Sequence, residues 1–264
     1  MKTISANLNV MIKACENASK SLIRDFGEIE KLQVSIKGPS DFVTNADKKV
    51  EKTLISELQK SRPNYSILSE ESEPIIKSNS EFKWIIDPID GTLNFLHGLP
   101  HFAISLALEK NNEIICGIVF DPIKNEMFFA EKDQGAYLNN QRIRVSKKKK
   151  FENSLILTGG PLPAHKNKKI VLEELIKVSN KLNSPLRIMG SAALDMAYIA
   201  SGRADAYFKR DLNYWDIAAG IILVKESGGF ISDYSGNNNF VNYKNIIASN
   251  NNINHELIEI LDKK

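Results

Sequence analysis

The stretch Trp84-Ile85-Ile86-Asp87-Pro88-Ile89-Asp90-Gly91-Thr92-Leu93-Asn94-Phe95 joins an apolar run to two carboxylates three residues apart and then to a Gly-Thr pair. The apolar run reads as a strand. At its end Asp87 and Asp90 offer anionic oxygens that can share hard divalent cations, and the backbone N–H groups after the turn can face a phosphate. This combination points to metal-assisted phosphate chemistry. Asp-Pro and Asp-Gly are also ordinary turn formers, so the stretch taken alone leaves a plain surface turn open.

Two further acidic spots change that balance. Glu70-Glu71 follows the strand-like Tyr65-Ser66-Ile67-Leu68, and Trp215-Asp216 opens the helical pattern Ile217 to Val224. Each lies at the edge of an apolar element, which turns alone explain poorly. Five blocks then run across nearly the whole chain: Asp41 to Asp47, Ser69-Glu70-Glu71-Ser72, Trp84 to Phe95 with Pro100, Gly190-Ser191-Ala192-Ala193, and Trp215 to Gly220 with Glu226-Ser227-Gly228-Gly229. In order and spacing they resemble the inositol monophosphatase-like phosphatases, a magnesium-dependent and lithium-sensitive family.

Composition agrees with a globular enzyme. The 264 residues are 42% hydrophobic, ample for a large core, and 35 basic against 32 acidic groups give a net charge of +3. No domain-wide basic excess marks a nucleic-acid binder, and the run Lys147 to Lys150 reads as a solvated loop. Cys15 and Cys116 have neither the number nor the spacing of a metal knuckle or a disulfide framework. They read as small buried apolar groups in a reducing compartment. With no cleavage pattern at the N-terminus and no apolar run of about 18 to 20 residues, the expectation is a cytoplasmic protein that does not span a membrane.

Periodicity predicts helices near 3–28 and 42–61, then strands at 84–86, 103–108, 114–120 and 126–130. After the lysine run, strand and helix alternate: strands at 155–157, 186–189, 206–208, 230–231 and 246–248, helices near 166–182, 192–200, 215–226 and 253–262. An α+β part (1–145) followed by an α/β part (146–264) implies stacked layers within one compact unit. The resemblance implies the αβαβα sandwich of the inositol monophosphatase/fructose-1,6-bisphosphatase type, with most metal ligands in 1–145 and with Asp216 and the substrate contacts in 146–264.

Phosphate monoester hydrolysis needs charge cancellation, an in-line water and a stabilised leaving oxygen, which two or three Mg²⁺ ions supply. The resemblance implies that Glu70, Asp87 and the Ile89 carbonyl hold one ion and that Asp87, Asp90 and Asp216 hold another, bridged by Asp87 at about 3.5 to 4 Å. It further implies that Asp47 and Thr92, helped by Glu70, activate the water. Gly91 and Thr92 would cradle the phosphate through their N–H groups, while Gly190, Ser191, Ala192 and Asp216 meet the polyol. Lys37 matches a family lysine that approaches the metals, and His97 and His101 read as packing or turn residues. Each acidic residue also has a bland reading: Asp47 as an exposed helix residue, Asp216 as a first-turn carboxylate, Glu70 and Glu71 as solvated.

Seven residues before Asp216, where the family usually has a glutamate that accepts ring hydroxyls, stands Lys209, which cannot accept a hydrogen bond. Three consequences are open: Asp211 takes over the contact, Lys209 turns outward, or the cation meets a second anionic group. The expected substrate is inositol 1-phosphate or another phosphorylated polyol or sugar, with fructose 1,6-bisphosphate and 3′-phosphoadenosine-type nucleotides as alternatives, in a homodimeric enzyme. An alternative of another class is an accessory role bound to a transcription-machinery protein, as in some bacterial relatives.

Overall fold

Apolar side chains of the first helix recur on one stripe, Leu8, Met11, Cys15, Ala18 and Leu22, and all are buried. That stripe needs a partner surface, and the sheets of this fold supply it. The computed structural model describes residues 4–29, 34–38, 41–161 and 166–262; the side chains of 34–44, including Lys37, lie outside the described residues. The first elements are α1 (Ala6–Phe26), β1 (Val34–Gly38), β2 (Asp41–Thr44), α2 (Asn45–Ser61), β3 (Ser66–Ser69), β4 (Phe82–Asp90) and α3 (Thr92–Leu96). An antiparallel run follows: β5 (Ala103–Lys110), β6 (Glu113–Asp121), β7 (Glu126–Glu131), β8 (Gly135–Leu138) and β9 (Gln141–Arg142). Then come β10 (Ile156–Thr158), α4 (Lys168–Ser179), β11 (Arg187–Ile188), α5 (Ala192–Ala200) and β12 (Ala206–Arg210). The chain closes with α6 (Tyr214–Glu226), β13 (Phe230–Ser232), α7 (Phe240–Tyr243), β14 (Asn245–Ser249) and α8 (Asn254–Asp262).

β3 to β9 form a seven-stranded sheet in sequence order, with β3 parallel to β4 and the rest antiparallel. A five-stranded mixed sheet has the order β11-β10-β12-β14-β13. Strand alternation sorts side chains between layers. From the first sheet Trp84, Ile86, Ile104, Leu106 and Leu108 join α1 and α2 in one core, while Ile85, Ala103, Ala107 and Val119 face α5 and α6 in a second. From the second sheet Leu157, Tyr207, Ile246 and Ala248 face that same middle layer, while Ile156, Ala206, Phe208 and Ile247 pack with α4 and α8. The result is the layered αβαβα sandwich. α5 and α6 are apolar nearly all round because sheets cover them on both sides.

Two local expectations need correction. Asp41–Thr44 is a strand paired with β1, not helix, because Phe42, Val43 and Thr44 favour extended backbone; the helix begins at Asn45. The elements α3, α7, β8 and β9 escaped a periodicity reading because each is too short to show a period. The cysteines behave as expected: Cys15 and Cys116 are free and buried, and burial pushes the Cys116 thiol up to about 12.

Candidate active site

In a regular strand, residues three apart point to opposite faces. β4 breaks that rule. Its pairing with β5 runs Asp87↔Ser105 and then Asp90↔Ala103, three steps against two, so one extra residue bulges at Pro88-Ile89. Proline suits the bulge because it has no N–H to give to the ladder. The bulge sends Ile89 into the α1/α2 core and brings Asp87 and Asp90 round to one face, toward α5 and α6.

Asp87 is 1% exposed, and its Oδ1 has no hydrogen-bond partner. Burial raises its pKa first, and the charges of Glu70, Asp90, Asp216 and Asp47 raise it further, in that order. Five carboxylates from β3's end, β4, α2 and α6 therefore converge on one place. The Glu70 N–H donates to Ile86 O at 3.2 Å, which pins Glu70 beside the Asp87 strand. Burial also raises Asp90, against the lowering effect of Ser191 Oγ at 2.5 Å and Ala193 N at 2.7 Å, both donating to its Oδ2. Asp216 is pushed up to about 7 by burial and then by Asp90, although its Oδ2 accepts from Asn213 N at 2.7 Å. Asp216 thus serves as a first-turn cap and as a member of the cluster.

The donor set is all hard oxygen, the type that Mg²⁺ takes, and Asp87 offers a buried oxygen with no other use. In that respect the residues fit a divalent cation. The cluster is nonetheless open: no group of three or more His, Cys, Asp or Glu among the described residues closes into a cage for one ion. Asp90 and Asp216 each turn one oxygen to a backbone N–H, that of Ala193 and of Asn213 respectively.

Thr92 lies beside this cluster, but the expected pair with Asp47 is not formed. Thr92 Oγ1 donates instead to Ile89 O at 2.9 Å, which takes one lone pair of that carbonyl and leaves the other. Asp47 itself is buried, which excludes its reading as an exposed helix residue. Gly91 has φ +96°, and a Cβ there would sit 3.0 Å from His101 O and 3.3 Å from Gly190 O. Only glycine fits, and the two glycines of the expected site are neighbours. Asn94 Nδ2 donates to Met189 O and to His101 O, both at 2.8 Å, and so clamps the two halves together. Ser191 corrects an expectation: at 1% exposure its hydroxyl supports Asp90 rather than being presented to a polyol. His101 packs edge-on to Tyr198 at 5.7 Å, and its Nε2 lies 3.9 Å from Oδ1 of the buried Asp195.

The chain matches the profile of the Inositol monophosphatase family over residues 5–263. The chain belongs to the inositol monophosphatase family. It is 46% identical over 259 residues to Inositol-1-monophosphatase of Rhizobium meliloti (strain 1021), covering 98% of this chain and 97% of that one. It is 38% identical over 243 residues to Nus factor SuhB of Escherichia coli (strain K12), covering 92% and 91%. The crystal structure of extragenic suppressor protein suhB from Bartonella henselae superposes with a TM-score of 0.94 at 46% identity, covering 98% of this chain and 99% of that one.

Against the inositol monophosphatase pattern, the departure at Lys209 takes a definite form. Lys209 is half-buried on the face of β12 that looks toward the middle layer, and its methylenes lie so close over Gly159 that a Cβ there would be 2.5 Å away. Burial raises the pKa values of Asp90, Asp195 and Asp216, and the Lys209 charge offsets part of that rise in each, so it is turned inward. The outward reading is therefore wrong. Asp211 has φ +65°, and its two carboxylate oxygens accept from Asn167 Nδ2 at 2.9 and 3.2 Å, which ties it to α4's N-cap residue. Next to it Arg210 points to the other face, where it pairs with Glu174 at 2.5 Å.

Sequence reasoning missed two groups: Asn94 as a clamp, and Glu51, whose carboxylate holds the turn containing Glu70. The spacing of Asp47 and Glu51 on one helix face was the available signal for the second.

Proposed function

We propose that this chain is a Mg²⁺-dependent phosphomonoesterase acting on inositol 1-phosphate or a similar polyol phosphate. The observation that carries it is Asp87: a buried carboxylate with an unpartnered oxygen, ringed by Glu70, Asp90, Asp216 and Asp47. A cluster of like charges of this kind is stabilised by a hard cation. Glu70, Asp87, the Ile89 carbonyl, Asp90 and Asp216 would hold two or three ions. Bound there, Mg²⁺ supplies charge compensation for the phosphate and a lowered pKa for the attacking water.

The remaining work falls to the chain's own groups. Asp47 takes the proton of the attacking water, with the Thr92 hydroxyl as relay once it leaves Ile89 O and donates to Asp47. The N–H groups of Gly91 and Thr92, at the start of α3, face the phosphate oxygens. Gly190 and Ala192 offer backbone groups to the polyol, while Ser191 keeps Asp90 in place. The division of labour between 1–145, with most acidic groups, and 146–264, with Asp216 and the polyol contacts, belongs to the same proposal. So do lithium inhibition, a homodimer and a cytoplasmic location, on the family resemblance; no helix among the described residues is long and apolar enough to cross a membrane.

The inward Lys209 favours a substrate with a second anionic group as the alternative within this class. The identity to Nus factor SuhB favours a second reading of another class, a binding role toward a transcription-machinery protein. Phosphate release from inositol 1-phosphate, fructose 1,6-bisphosphate and 3′-phosphoadenosine 5′-phosphate, with and without Mg²⁺, tests the proposal. Metal-dependent release is expected, fastest from inositol 1-phosphate; no release from any ester overturns it. If binding is the cellular task, an Asp87→Asn chain should complement a deletion strain fully, and if catalysis is, it should fail.

A further inference from the structure

Glu51 is 6% exposed and lies one helical turn beyond Asp47 on α2. One of its carboxylate oxygens, Oε1, accepts from three donors: Ser69 Oγ, Glu71 N at 3.2 Å and Ser72 Oγ at 3.2 Å. Those donors bracket Glu70 on both sides. β3 ends at Ser69 and a turn begins, so Glu70 stands where regular strand pairing stops. Its own N–H is tied to Ile86 O, and the residues after it are tied to Glu51. A carboxylate suits this place because three donors converge on one buried oxygen, which an apolar side chain would leave unmatched. Its charge strengthens each of the three hydrogen bonds and rigidifies the turn.

We propose that Glu51 is a positioning residue that aims Glu70 at the divalent cation and locks that turn to the helix carrying Asp47. This rests on the reading of Glu70 as a metal ligand. Another buried carboxylate tie provides a comparison outside the cluster: Asp205, also 6% exposed, accepts from Ser146 Oγ at 2.5 Å and from Leu155 N at 2.7 Å.

The test is Mn²⁺ binding to the full chain without substrate, followed by electron paramagnetic resonance of free Mn²⁺, with the Tm of each variant measured alongside. Removing a group that orients a metal ligand weakens affinity by about 10–100-fold, so Glu51→Ala should fall in that range. Glu51→Gln, which keeps an acceptor oxygen without charge, should fall less, and Asp205→Asn should lose Tm while holding Mn²⁺ within about twofold. Should Glu51→Ala not fold, Glu51→Gln decides. Unchanged affinity in folded Glu51 variants overturns the proposal, as does weakening in all variants, Asp205→Asn included, in proportion to lost Tm. A wild-type chain that fails to retain Mn²⁺ overturns the metal reading itself.

Discussion

Replacing Asp216 by Asn relieves charge crowding without removing a cap, because an amide oxygen can still accept from Asn213 N at the 2.7 Å position. Burial, followed by the Asp90 charge, moves this carboxyl from 3.8 up to about 7. A carboxyl whose folded pKa exceeds its unfolded value is most favourable to the fold below the unfolded value. Stability is then lost as pH rises through the folded one. With those two values, moving from about pH 5.5 to about pH 8 costs about 2 kcal/mol in a chelator. Asp216 is half-buried, so half of that, about 1 kcal/mol, is the working figure, or about 2–4 °C in Tm for a chain of this size. Calorimetry in EDTA at the two pH values should show the wild-type Tm dropping by that much more than the Asp216→Asn Tm. At pH 8 the variant should be the more stable. Mg²⁺ should raise the wild-type Tm more at pH 8 than at pH 5.5, and the variant Tm less at both. Equal pH slopes for the two chains in EDTA would refute the crowding argument.

Gly91→Ala introduces a Cβ 3.0 Å from His101 O at φ +96°, and should lower stability by roughly 1–3 kcal/mol and cut turnover, read by Tm and kcat together; a neutral effect would mean the turn is not under this constraint. Lys209→Glu should raise kcat/KM for inositol 1-phosphate about 10-fold and lower it for fructose 1,6-bisphosphate, if the inward cation faces the leaving group; changes under about threefold in the ratio count against that. Asp211→Ala, with both oxygens held by Asn167, should cost stability more than KM, contrary to a direct polyol contact. Lithium added during steady-state turnover at saturating Mg²⁺ should inhibit, and indifference to it would weaken the family-based assignment of the ion sites.

The acidic positions were legible because each sits in a short motif at the end of an apolar run, where type and spacing already limit the chemistry. That helices and sheets stack in layers was legible too, from the change of periodicity after the lysine run, while the αβαβα order followed from the family resemblance. What brings Asp87 and Asp90 to one face was not, because a bulge is a property of the pairing between β4 and β5 rather than of either strand. Ser191 illustrates the same limit: a hydroxyl before a helix looks available in sequence, and only the fold supplies Asp90, 101 residues away, as its acceptor. Glu51 was hidden for that reason, its partners lying 18 to 21 residues on across a turn. The direction of Lys209 was not legible either, because it depended on the small residue at 159 over which its methylenes run.

The proposed role of the carboxylates around Asp87 is to hold the divalent cations that drive phosphate ester hydrolysis. Its most direct test is Mg²⁺-dependent phosphate release from inositol 1-phosphate by the wild-type chain and by Asp87→Asn, each checked for an unchanged fold by circular dichroism. Loss of a charge shared by both ion sites should lower kcat by at least ~10³-fold while the fold persists. Near-normal turnover by a folded Asp87→Asn chain would mean that Asp87 does not hold the catalytic cations.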